Sequence, residues 1–303
     1  LENIATPFGR CIRIGSRAKN VPVIESEIII YDTLKRIDIR NRISKEEIRS
    51  KEAIYFAFPF RSAAPQFQYQ VQNAWADPNL DQLPGSNREW FATQNLVLSR
   101  DGSTTVALAT PDFPLVSLTD INRGKWPEKL DLRNGHIYSY VTNNYWSVNI
   151  KASQSGELEF RYYITSGKDL DNDSLARFDA QTRSGLIPYS RYERRYERGP
   201  SQMPIDQGSF FYVDASHVEI SAFKEAEDKN GCILRLRETS GRDGTALLKS
   251  EWFNIDRAWL TNGVEDNISD LTPMAGELSI PLKACRFTTV RLCYSLVTRQ
   301  KQK

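Results

Sequence analysis

The sequence predicts an all-β protein, on three observations. Eleven short segments are rich in β-branched and aromatic residues, turn-forming dipeptides separate most of them, and no helical segments alternate with them as a parallel sheet would require. Packed antiparallel sheets, with at most one or two short helices, satisfy all three.

In chain order the segments are VPVIESEIIIYDT, EAIYFAFPF, ATQNLVLS, TTVALAT, HIYSYVT, LEFRYYIT, SFFYVD, HVEISAF, CILRLRE, LSIPL and TTVRLCYSLV. Turn signals fall at Asp101-Gly102, Asn134-Gly135, Ser155-Gly156, Asn230-Gly231 and Asp243-Gly244. The second segment is the most telling. Strand alternation puts Ile54, Phe56, Phe58 and Phe60 on one face and Tyr55, Ala57 and Pro59 on the other. So large an apolar face needs a broad partner, and the inner face of a second sheet supplies one.

One helix is expected over DNDSLARFDAQTRSG, with Asp173 or Ser174 as N-cap and Gly185 as its stop. After it, YSRYERRYERGPSQMP (residues 189–204) loses apolar periodicity to charge, Gly and Pro. Its two glutamates among four arginines fit a solvated connector or docking segment better than a binding patch. The domain boundary is placed there, giving domains 1–199 and 200–303; 303 residues are more than one domain usually holds.

Composition narrows the function classes. Forty basic against 38 acidic residues leave a formal charge of +2, with no nucleic-acid footprint, and no interval is apolar for the roughly 20 residues of a membrane-spanning helix. Four cysteines (Cys11, Cys232, Cys285, Cys293) lack metal-ligand spacing and are too sparse for a disulfide framework; buried free thiols are expected, with a Cys285–Cys293 bridge as the alternative. The compartment stays open. Leu1, without an initiator Met, reads as the start of a fragment.

Catalytic signals are sparse. The two histidines, His136 and His217, fall in different expected domains, which is poor material for a metal site. DLDNDS (169–174) has calcium-loop character but carries Ser174 where such a loop needs Gly and Ala180 where it needs Glu, so a helix cap is preferred. No nucleophile elbow, phosphate loop or Cys/His pair occurs. Two polar stretches stand out. DPNLDQLPGSNREW (77–90) reads as a long shaped loop, and YSYVTNNYWSVNI (138–150) sets three asparagines beside Tyr145 and Trp146. Aromatic faces stack on sugar C–H groups while amides bridge hydroxyls; the competing account is core aromatics with amides satisfying turns.

These stretches resemble glycoside hydrolase family 38, the metal-dependent retaining α-mannosidases, in the region after their catalytic domain. The resemblance rests on KEAIYFAFPF (51–60), DQLPGSNREW (81–90), VALATPDFPLV (106–116) and GHIYSYVTNNYWSVNIKASQSGELEFRYYIT (135–165), with VEISAFKEAEDKNGCILRLRETSG (218–241) and LSIPLKACRFTTVRL (278–292) in the tail. It implies a large mutarotase-like β-supersandwich followed by a smaller β-sandwich. It also implies that the nucleophile and the metal-binding residues belong to a catalytic domain with no counterpart in this chain. The chain then carries no catalytic residue and no metal or other cofactor site, is inactive alone, and has as partners that catalytic domain, with its zinc-type divalent metal, and a mannose-containing saccharide. The expected saccharide contacts are Asp81, Gln82, Arg88, Asn144, Trp146 and Asn149.

Two other classes of function remain. A stand-alone carbohydrate-binding module would present an exposed aromatic platform, whereas Trp126 and Trp146 are expected to be buried. A scaffold for neighbouring subunits would present a large exposed apolar patch and no saccharide affinity.

Overall fold

A computed structural model describes residues 1–102, 104–144, 149, 151–168, 170–185, 187–188 and 207–297. The chain divides into two compact units, Leu1–Ser184 and Gly185–Lys303. The expected boundary near 199–200, like the connector around it, lies outside the described residues.

The first unit carries β1 (Glu2–Thr6), β2 (Gly9–Ala18), β3 (Val21–Tyr31), β4 (Ile37–Lys45), β5 (Ala53–Phe60), β6 (Gln66–Val71), β7 (Ala74–Ala76), β8 (Phe91–Ala92), β9 (Leu96–Asp101), β10 (Thr104–Ala109), β11 (Leu115–Leu118), β12 (Gly135–Asn143), β13 (Gly156–Lys168) and one helix, α1 (Asn172–Arg183). Nine strands form one antiparallel sheet in the order β1-β2-β3-β4-β13-β10-β9-β6-β7, and four form another, β5-β12-β11-β8.

The IYFAFPF segment is β5, and its large face does meet a second sheet. Phe58 is buried in the main core, with Ile54, Phe56 and Phe60 packed against it. Across the interface Phe56 lies 5.7 Å from both Phe160 and Tyr162 of β13, and Phe58 meets the Tyr162 ring edge-on at 4.8 Å. Such pairs favour tilted geometry because ring edges are positive and faces negative. The buried Tyr162 hydroxyl donates to Ser139 Oγ of β12 at 2.9 Å, a hydrogen bond that crosses between the sheets. Burial pushes the Tyr162 phenol well above its ordinary pKa, so it stays a donor throughout the physiological range.

On the opposite face of the large sheet α1 covers β9 and β10. Leu175 and Phe178 pack on Leu96, Leu98, Ala107 and Ala109. Fully buried Asp179 accepts from Gln70 Nε2 (2.8 Å), Asn95 Nδ2 (2.8 Å) and Arg183 Nη2 (2.6 Å), tying the helix to β6 and the start of β9. The N-cap is Asp171, not Asp173 or Ser174: its carboxylate accepts the Ser174 N–H at 2.8 Å, so the helix starts earlier than its sequence suggests. The chain leaves the helix at Ser184, one residue before Gly185.

The second unit contains β14 (Tyr212–Asp214), β15 (Val218–Glu225), β16 (Cys232–Glu238), β17 (Gly244–Lys249), β18 (Phe253–Thr261), β19 (Asn267–Leu271), β20 (Leu278–Leu282) and β21 (Phe287–Leu296). A three-stranded sheet, β14-β17-β20, and a five-stranded sheet, β15-β16-β21-β18-β19, share a core of Leu234, Leu236, Leu248, Ile280, Val290 and Leu292. The Asn230-Gly231 turn needs glycine: at φ +83° a Cβ would sit 2.4 Å from the Leu292 carbonyl oxygen. All four cysteines are free. Cys11 is buried as expected, but Cys285 is exposed in the turn before β21, so the buried-thiol expectation fails there.

Buried Glu238 closes this unit's loops. Its carboxylate accepts from the Ser240 backbone (2.7 Å) and hydroxyl, from Gly241 N (2.9 Å) and from Cys285 N (2.8 Å). Burial alone would raise its pKa, but these donors together hold it below the ordinary carboxylate value. A depressed folded-state pKa means the stabilisation is complete above the unfolded value, about 4.3, and is lost as pH falls through the lower folded value.

Three outcomes follow from this packing. Phe58→Ala lowers the stability of the first unit by about 3–5 kcal/mol, read by denaturant-dependent hydrogen exchange, and leaves the second unit unchanged. Asp179→Ala, which removes the buried carboxylate shared by Arg183, Gln70 and Asn95, destabilises the first unit by about 3 kcal/mol in urea unfolding. The second unit loses stability between about pH 5 and 3, and Glu238→Gln flattens that acid limb while lowering stability at pH 7.

Candidate functional site

Two long loops lie over the outer face of the four-stranded sheet. Val116, Leu118, Ile137 and Val141 turn inward to the core, so alternation turns Ser117 of β11 and Tyr138 of β12 outward, with Tyr140 paired to outward-facing Tyr55 of β5. The Tyr55 and Tyr140 rings stack at 4.5 Å, and Trp90 meets Tyr140 edge-on at 6.1 Å. Burial, reinforced by the neighbouring Tyr140, pushes the Tyr55 phenol up to about 12.

The loop at 77–90 is shaped by its own side chains. Asp77 Oδ1 accepts the backbone N–H groups of Asn79 (2.7 Å) and Leu80 (2.9 Å), while Asp81 Oδ2 accepts that of Asp77 at 2.7 Å. Such Asx turns are why Asp and Asn crowd this segment. Gln82 donates to the Tyr69 hydroxyl and accepts from Ser86 Oγ at 3.2 Å. The loop at 119–134 is bound to it at two points. Asn79 forms a two-way pair with the Leu130 backbone (2.8 and 3.1 Å), and Glu89 Oε1 accepts the Trp126 N–H at 3.1 Å. Ser117 Oγ donates to the Glu89 carbonyl oxygen at 2.8 Å, anchoring the join to the sheet.

The expected saccharide contacts fall into distinct settings. Asp81 and Gln82 hold the loop, with bonds to their neighbours. Asn144 is buried: its amide donates to the carbonyls of Ile48 (2.7 Å) and Ser50 (2.9 Å) and its backbone N–H to that of Glu52 (2.9 Å), while its Oδ1 has no partner. Asn149 is an exposed residue in a bend, and Trp146 lies outside the described residues. Arg88 differs from all of these. It is only 6% exposed, yet among the described residues its one hydrogen bond is a long one from Nη1 to the Ser86 carbonyl (3.3 Å), and its Nε has no partner there.

Another buried arginine shows what a completed site looks like. Arg291, 4% exposed, donates to Asp228 Oδ1 (2.7 Å), Asn230 O (2.7 Å), Glu265 O (2.9 Å) and Asn267 Oδ1 (3.1 Å). A buried guanidinium without such partners is costly. Arg88 therefore holds the main unmet hydrogen-bonding capacity in the loop.

Trp126 overturns the expectation of a buried indole. Its indole is 68% exposed rather than buried, at a backbone φ of +43°. A bulky residue in the left-handed region is strained and persists only where its surroundings hold it, as the Glu89 carboxylate does here. The sequence signal for a turn here is the Asn, Gly and Pro of the NRGKWP run, where the Lys125 N–H donates to the Asn122 carbonyl oxygen at 3.1 Å.

Among the described residues no group of three or more His, Cys, Asp or Glu could hold a metal ion, and His136 and His217 belong to separate units. The described residues therefore offer no ligand set that fits the zinc-type metal of the resembled family. No helix among them is long and apolar enough to cross a membrane.

Part of the second unit matches a known family. Residues 217–288, spanning β15 to the start of β21, match the family described as "Glycosyl hydrolases family 38 C-terminal beta sandwich domain". That match makes this stretch of the second unit similar to the C-terminal sandwich of glycosyl hydrolase family 38. The chain's fold is shared with an α-mannosidase from Enterococcus faecalis V583, at 13% identity and TM-score 0.62, over 89% of this chain and 28% of that one. A second Enterococcus faecalis structure, a protein in glycosyl hydrolase family 38, gives 14% identity and TM-score 0.62 over 89% and 29%. At those identities the likeness is one of fold, and this chain spans under a third of either protein's length. No curated protein sequence matches it.

Asn79→Ala tests the cross-tie between the loops. Loss of the paired Leu130 bonds raises hydrogen exchange of the 119–134 segment and costs about 1–2 kcal/mol in thermal unfolding.

Proposed function

We propose that this chain is the non-catalytic C-terminal part of an α-mannosidase-type glycosidase, packing against the catalytic domain and bordering its sugar cleft. One observation carries the reading: a family 38 sandwich follows a large sandwich in one chain, and that arrangement aligns over 89% of its length with less than a third of an α-mannosidase. Retaining glycoside hydrolysis needs a nucleophile and an acid/base group flanking one sugar. Those groups, with the metal, belong in this reading to the catalytic domain.

Bordering the cleft is the role proposed for the 77–90 loop and the residues near it. Arg88 would donate its unengaged N–H groups to saccharide oxygens, and exposed Asn149 would bridge hydroxyls. Asp81, Gln82 and Asn144 would present their remaining polar atoms from fixed positions, with Trp146 as a stacking surface. The saccharide contains mannose in this reading.

A second reading, a free-standing carbohydrate-binding module, is favoured by the exposed Trp126 indole. Saturable quenching of indole fluorescence by mannose oligosaccharides, in this chain alone and absent from Trp126→Ala, would establish it.

The activity test compares these 303 residues with the full open reading frame on an aryl α-mannoside with divalent metal. Turnover only by the longer protein supports the proposal; turnover by the chain alone contradicts it. Arg88→Met separates the residue's two roles. In the isolated chain it leaves stability unchanged or raises it, by up to about 1–4 kcal/mol, because an under-bonded buried guanidinium is costly to keep out of water. In the full protein it lowers kcat/KM on the same substrate about tenfold or more.

A further inference from the structure

The cross-tied loops carry the large apolar side chains best placed to form a joint. Leu80 and Leu83 of the 77–90 loop are 79% and 78% exposed, and in the 119–134 loop Trp126 is 68% and Ile121 38% exposed. A few isolated exposed apolar residues need no explanation, but several on two loops bonded to each other do. These loops are held by the Asx turn at Asp77, the Asp81 carboxylate on the Asp77 N–H, the Asn79–Leu130 pair and the Glu89–Trp126 bond. Preorganised loops lose little entropy on association, and an exposed, fixed aromatic is the usual centre of a binding hot spot.

We propose that Leu80, Leu83 and Trp126 are the anchors by which this chain docks onto the catalytic part of its own enzyme. The inference rests on the proposed function and names the surface that forms the joint. Two observations commit it to that occupant. More than two thirds of the similar α-mannosidase has no counterpart in this chain, so a large body of protein remains to be seated. The same 77–90 loop holds Arg88 with its Nε unpartnered, whereas Arg291 is fully bonded. A covering domain that closes over the anchors turns the Arg88 environment into the enclosed, polar-lined edge of a cleft.

Hydrogen–deuterium exchange of the 303-residue chain and of the full open reading frame tests this directly. Backbone amides of residues 77–90 and 119–134 are expected to exchange at least about tenfold more slowly in the full protein. Leu83→Asp with Trp126→Ala removes that extra protection while the isolated double variant melts like the unaltered chain. If the full protein instead shields a different face and leaves these loops unchanged, the anchors are wrong while the packing reading stands. If no segment of the chain gains protection, the packing reading falls with them.

Discussion

The contact of Phe56 and Phe58 with Phe160 and Tyr162 is the constraint on which the first unit depends. Two sheets can share a core only if each has a continuous apolar face, and β5 and β13 supply the aromatic centre of both. The Tyr162–Ser139 hydrogen bond adds direction to that contact. Dispersion and burial hold the sheets together, while a single buried polar pair helps fix their register, since sliding either sheet would leave both hydroxyls unpaired.

Once the inner face of the four-stranded sheet is committed to the core, its outer face must be covered by something else. Tyr55, Tyr140 and Ser117 are met there by Trp90, Arg123 and Glu89 from the two loops. The same loops carry the exposed Leu80, Leu83 and Trp126, so packing of the small sheet and presentation of the anchors come from one pair of loops. Helix α1 performs the corresponding task on the large sheet but ends in a closed polar network around Asp179, with no comparable exposed side chains.

The fold was legible where a strand has one wet and one dry face. β5, β12, β13 and β16 show that alternation, and β21 was found from its β-branched and aromatic run. β1 and β2 do not: most of their residues on both faces are exposed, so no period marks them. Short β7 and β8 carry too few residues to show any pattern. At the candidate site, the Pro, Gly and Asx content of 77–90 revealed a shaped loop, and Arg88 could be singled out within it. What composition could not reveal is whether a guanidinium has partners or an indole has cover. Trp126 is held outward by a carboxylate 37 positions away in sequence, a contact created only by the tertiary fold.

The central claim is that the loop face of the first unit is a covered joint in the complete enzyme. Acrylamide quenching of the Trp126 indole, taken as the difference between unaltered protein and Trp126→Phe, measures this in the 303-residue chain and in the full open reading frame. The account predicts an indole freely quenched in the chain and shielded in the full protein. Equal quenching in both would contradict it.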